Sequence, residues 1–153
     1  MTLLSEESSG MNEYRRMVRA AFRGVWTGAL TVDDFIDTMA ITIRRGLTKA
    51  WAEGMKQCGL TPAEMTPQEE TKLEQMIAGE YGHVFGVADY VAQNTKADKV
   101  KLAVVFARSE MWINRYNEVI AIAQTMACGD KKYRWVVGPT EHCTTCAGFH
   151  GRV

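Results

Sequence analysis

The chain has 153 residues, 46% of them apolar and 24% charged, and its 18 Lys+Arg balance 18 Asp+Glu. This is globular composition at a one-domain length, and the charge balance argues against a global electrostatic drive toward nucleic acid or membrane. No stretch approaches the roughly 18–20 apolar residues that span a bilayer. The polar, acidic segment Met1–Asn12 does not read as a secretory signal, and four cysteines without such a signal argue for a reducing compartment and against a disulfide framework.

Residues 1–11 read as a flexible tail. A first helix is predicted from Asn12 to Thr27, where Tyr14, Met17, Val18, Ala21, Phe22, Val25 and Trp26 recur at three- and four-residue spacing and define one buried stripe. Arg15, Arg19 and Arg23 follow one another four apart on a neighbouring face, either as a solvated surface or as contacts to an acidic partner. Thr31 starts a second helix, with Asp33 and Asp34 well placed against its N-terminal dipole. It carries Phe35, Met39, Ile43, Leu47, Ala50, Trp51 and Met55 and closes at Gly59, a C′ residue.

Residues 60–66 form a break containing Pro62. Thr66-Pro67-Gln68-Glu69 then has the chemistry of a capping box, with Thr at the N-cap, Pro at N1 and Glu at N3. The helix it opens is expected to run on through Leu73, Met76, Ile77, Tyr81, Val84, Phe85, Ala88 and Val91. Gly79, Gly82 and Gly86 fall inside it and each costs about 1 kcal/mol relative to alanine. They imply close approach of another helix in preference to a kink. His83, beside Gly82, reads as a surface or packing residue. The longest helix is expected from Ala97 to Ala127, with Leu102, Val105, Phe106, Ser109, Trp112, Ile113, Tyr116, Val119, Ile120 and Ala123 on one face. Lys132–Val137 alternates like a short strand, and Gly138-Pro139 turns the chain into Cys143-Thr144-Thr145-Cys146. The expected fold is therefore mainly α. An elongated bundle of about four long helices precedes a short strand and a Cys-x2-Cys knuckle, with residues 12–96 as a helical N-terminal region and 97–153 as a second region.

The knuckle carries the most specific chemistry. Two thiolates at this spacing face one tetrahedral zinc ion, and His150, Cys128 or His142 could complete the ligand set. A redox dithiol would call for a βαβ framework, which a helical chain lacks; two free cysteines are the bland alternative. Cys58 reads as an inert buried thiol. Nothing resembles a phosphate loop, a helical zinc-protease motif or a serine triad.

The order of the features is more specific than any one of them. Ala107-Arg108-Ser109-Glu110 lies on a long helix, then come Lys131-Lys132-Tyr133-Arg134-Trp135, Glu141-His142-Cys143-x2-Cys146 and Gly151. This order, over residues 97–153, resembles the head-morphogenesis domain of phage Mu F-like minor head proteins. The resemblance implies a structural, non-enzymatic protein of the virion, present in the host cytoplasm during assembly. Such a protein would associate with the portal and other head proteins in a multi-subunit assembly, with packaged DNA nearby and no membrane. Its functional positions would be Arg108, Glu110, Trp135, Cys143, Cys146 and Gly151, and the interaction set to test adds Arg15, Arg19, Arg23 and Trp112. The alternative is a small zinc-dependent nucleic-acid-binding module that uses the α-helical arginine row as phosphate contacts.

Overall fold

The computed structural model describes residues 9–129. Helices α1 (Ser9–Thr27), α2 (Val32–Lys56) and α5 (Leu102–Ala123) pack against one another to make the body of the fold. Helices α3 (Pro67–Gly82) and α4 (Val84–Ala92) lie along α2; α4 also meets α1, and α3 meets α5. A single 3-10 turn, Pro62–Glu64, sits between α2 and α3, and a π-helical segment, Gln124–Cys128, continues α5. Among the described residues the fold is wholly helical, as expected. The predicted strand Lys132–Val137, Trp135, the Cys143/Cys146 knuckle, His142, His150 and Gly151 lie outside them.

The stripes read from the sequence face inward. Val18 and Phe22 of α1, Phe35, Met39, Ile43, Leu47 and Trp51 of α2, and Val105, Ile113, Tyr116 and Val119 of α5 are fully buried in one cluster. Each large side chain removed from water in this way contributes about 1.5–3 kcal/mol. Phe22 is the aromatic centre, edge-on to Phe35 with ring centroids 5.2 Å apart and tilted against Trp112 at 5.7 Å.

The capping chemistry also holds. Thr31 accepts from the Asp34 N–H at 3.0 Å, and the Thr31 N–H reaches back to the Asp34 carboxylate at 3.4 Å. At the far end of α2, Gly59 takes the left-handed conformation (φ +80°) that glycine adopts without a Cβ penalty. The Leu60 N–H then bonds the Met55 carbonyl at 3.0 Å, the six-to-one closure of a helix C-terminus. Thr66 and Glu69 form the second capping box, and the same Glu69 carboxylate accepts from Trp51 Nε1 at 3.0 Å. One acid thus caps α3 and ties it to α2.

Four expectations are corrected. Ser9, Gly10 and Met11 belong to α1 rather than to a tail. Met11 is buried, and a Cβ on Gly10 would collide with the Glu53 carboxylate and the Tyr116 hydroxyl, so glycine lets the start of α1 lie close to α2 and α5 without displacing those two side chains. The helix expected from Thr66 through Val91 is broken at His83, whose N–H bonds Glu80 O three residues back. A Cβ built on Gly79, Gly82 or Gly86 meets nothing within 4 Å, so no helix of the described fold approaches these glycines and the kink is the alternative realised. Helix α5 begins at Leu102, not Ala97. Thr95 and Asp98 cap one another there, while Trp26 Nε1 donates to Val100 O at 2.7 Å and Lys96 N–H to Trp26 O at 2.9 Å. Finally, Cys58 and Cys128 form a disulfide, Cα to Cα 5.6 Å, joining the C-terminal ends of α2 and of the π-helical segment. This overturns the expectations of an inert Cys58 thiol and of a chain without disulfides.

Candidate functional site

Two features that lay 91 residues apart in the sequence, the arginine row of α1 and Glu110 of α5, meet along one seam. Arg19 donates through a terminal guanidinium nitrogen to Glu110 Oε2 at 2.7 Å, each side chain more than a third exposed. Beneath the pair lies Phe106, one turn before Glu110. The guanidinium carbons of Arg19 and Arg23 both sit 5.3 Å from its ring centroid, a shared cation–π contact worth about 0.5–1 kcal/mol per cation at an exposed site. Arg19 Nε is shielded from water and has no hydrogen-bond partner among the described residues. Arg15 bonds the Asn12 side chain at 3.1 Å within α1.

Arg108 and Glu110 point to different neighbours. Glu110 reaches α1, whereas the Arg108 guanidinium stacks 4.2 Å over the ring of Tyr90 on α4. They are therefore two separate inter-helix contacts of α5, not an acid–base pair. Trp112, expected among the interaction residues, is in the core: it is 1% exposed, and its Nε1 donates to the Glu80 carbonyl at 3.3 Å. Its spacing of three residues from Ser109 and four from Tyr116, both on the buried stripe, is the physical reason.

Reading the sequence missed the polar cluster behind Trp112. Glu80 Oε2 accepts from Arg115 Nε at 2.8 Å, and Arg115 also pairs with Glu118 at 2.6 Å. The Glu80 side chain is 2% exposed, and burial pushes its carboxyl above the ordinary carboxylate range, against the pull of Arg115. Glu80 Oε1 and the Tyr14 hydroxyl are both buried without a hydrogen-bond partner among the described residues. Burial, reinforced by the charge of Glu80, drives the Tyr14 hydroxyl pKa upward, so it stays a neutral phenol. A signal existed: Leu73, Ile77, Glu80 and Val84 fall at four-, three- and four-residue steps, which places Glu80 on the apolar stripe.

Of the expected zinc ligands, Cys143, Cys146, His142 and His150 lie outside the described residues. Cys128 does not fit the role, because in a disulfide with Cys58 its sulfur is no thiolate donor. Among the described residues no group of three or more His, Cys, Asp or Glu side chains is placed to hold a metal ion, and no helix is long and apolar enough to cross a membrane. Comparison of the chain with protein-family models, with curated proteins and with solved structures finds no match in any of the three.

Proposed function

We propose that the chain is a structural minor head protein of a tailed phage or prophage. It associates with the portal and head during assembly or DNA delivery, and acts as a binding component rather than as a catalyst. The motif order over residues 97–153 supports the reading. The observation that carries it furthest is the use made of the Arg108/Glu110 pair. Each residue sits on the outer side of α5 and contacts a different helix, Glu110 on α1 and Arg108 on α4. Residues spent in this way organise a surface, as an assembly protein requires. The arginine row fits the same role better than phosphate binding, because Arg15 and Arg19 already have partners within the chain.

The test is purification of the native particle followed by mild dissociation. The chain is expected to co-purify with portal or capsid proteins, and a Glu110→Lys variant is expected to be depleted from the particle. Recovery free of every head protein would sink the proposal.

A further inference from the structure

Cations are held in two ways in this fold. Arg44, Lys49 and Arg115 are tied to carboxylates, those of Glu74, of Glu13 and of Glu80 with Glu118. Around the N-terminal half of α5 they lie on aromatic rings instead. The four cation–π contacts among the described residues all fall there: Arg19 and Arg23 on Phe106, Lys96 on Trp26 at 5.8 Å, and Arg108 on Tyr90. A ring orients a cation without cancelling its charge, whereas a carboxylate does both. Lys99 and Lys101 flank Val100, whose carbonyl accepts from Trp26 Nε1, so the connection that carries these lysines is pinned to α1. Arg23, Lys96, Lys99, Lys101 and Arg108 are exposed, and none has an ionic partner among the described residues. The segments that build this surface, 19–27 and 89–110, carry six Lys and Arg against three carboxylates. Of those three, Glu110 is used by Arg19 and Asp98 caps Thr95. In a chain of zero net charge this is a local excess.

Between the cations the outward face of α5 is small and uncharged. Ala103, Val104 and Ala107 are exposed, with Arg23 beside Phe106 on the α1 side and Arg108 over Tyr90 on the α4 side. We propose that this surface binds the phosphate backbone of a double-stranded nucleic acid, without regard to sequence, through Arg23, Lys96, Lys99, Lys101 and Arg108. From Lys101 to Arg108 the helix rises about 10 Å, a length over which a duplex presents about six phosphates. A floor of alanine and valine lets the backbone come close. Each ring already carries a cation on its face, so the surface offers no free platform for an unpaired base, which favours the duplex over a single strand. A membrane is the poorer fit, because the floor lacks the large apolar side chains that insert among headgroups. Of the α1 row only Arg23 takes part, since Arg15 and Arg19 have partners within the chain. Duplex binding of this kind does not depend on the assembly role proposed above, which is tested on particles rather than on the purified chain.

Fluorescence anisotropy of the purified full chain with a labelled DNA duplex of arbitrary sequence, over a salt series from about 20 to about 200 mM, tests it. Binding is expected to weaken steeply with salt, the logarithm of the association constant falling against that of salt with a slope of about −4.5 if all five cations meet phosphates. Lys99→Ala/Lys101→Ala is expected to reduce that slope by about 2 and to weaken binding at least about tenfold at low salt. Arg44→Ala/Lys49→Ala removes the same charge from ion pairs elsewhere on the surface and is expected to bind within about twofold of the original chain. Unchanged far-ultraviolet circular dichroism of both double variants keeps the comparison clean. Equal weakening by the two double variants overturns the proposal, as does tighter binding to a single strand of the same length. No duplex binding at the lowest salt overturns it as well: binding to phosphatidylserine vesicles then assigns the surface to a membrane, and binding to neither leaves it to an acidic protein.

Discussion

The two halves of α5 are held in opposite ways. From Leu102 to Met111 the helix buries Val105 and Ser109 but is otherwise attached by contacts at its surface: Glu110 to Arg19, Phe106 under two guanidinium groups, and Arg108 over Tyr90. From Trp112 onward it is locked. Tyr116 packs on Tyr14 with ring centroids 5.6 Å apart and its hydroxyl bonds Glu53; a Cβ on Gly54 would sit 2.7 Å from the Ala123 Cβ and from the Ile120 carbonyl oxygen; and Cys128 is covalently joined to Cys58. A single helix thus runs from an adaptable surface to a welded anchor, and its candidate contact residues are confined to the adaptable half.

That contrast can be broken most strongly at the anchor. The Cys58–Cys128 bond closes a 70-residue separation, and on chain-entropy grounds its loss is expected to cost about 4 kcal/mol. Denaturant titration with and without reductant, or of Cys58→Ser, reads this directly, and superimposable curves would show that the anchor is not covalent in solution. Alanine at two glycines separates the halves by sign. Gly54→Ala drives a methyl into the backbone of α5 and is expected to destabilise by about 1–3 kcal/mol. Gly86→Ala meets open space and is expected to stabilise the monomer by about 0.5–1 kcal/mol.

At the junction of the halves, Glu80 is expected to leave a pH signature. Its folded-state carboxyl is raised, so the folded chain holds that proton more tightly than the unfolded chain does. Stability from this group is therefore largest below the ordinary glutamate value of about 4.3 and is lost as pH rises through the folded value. Thermal melts should show the wild-type chain losing stability relative to Glu80→Gln as pH rises through that window; parallel pH profiles would remove Glu80 from the account. The smallest effect belongs to the adaptable half. Arg19 and Glu110 are each more than a third exposed, so a double-mutant cycle to alanine should return a coupling of only about 0.2–1 kcal/mol.

Legibility in the sequence followed the range of the forces. Thr31, Gly59 and the Thr66/Glu69 box were readable because a cap is decided within a few residues, and the stripes through Phe35–Trp51 and Val105–Ala123 because burial imposes the helical period. What escaped depended on long-range juxtaposition. Nothing local says that Cys58 meets Cys128, or that Trp26 reaches Val100 and so delays the start of α5. Arg19 was readable as one of a row, but its partner Glu110 could be paired only once α1 and α5 had packed. Gly82 was correctly marked as exceptional, yet the preference for close approach over a kink was wrong, because spacing carries no information on which helix lies nearby. Glu80 was the avoidable miss, a carboxylate at a stripe position.

The disulfide has a mechanical consequence. Tension applied between the two ends of the chain would pass from α1 into α2, cross at Cys58 and leave through Cys128, so α3, α4 and α5 stand off the line of force. At about 3.4 Å per extended residue, the 70-residue loop withholds about 240 Å of contour length from stretching until that one bond is cut.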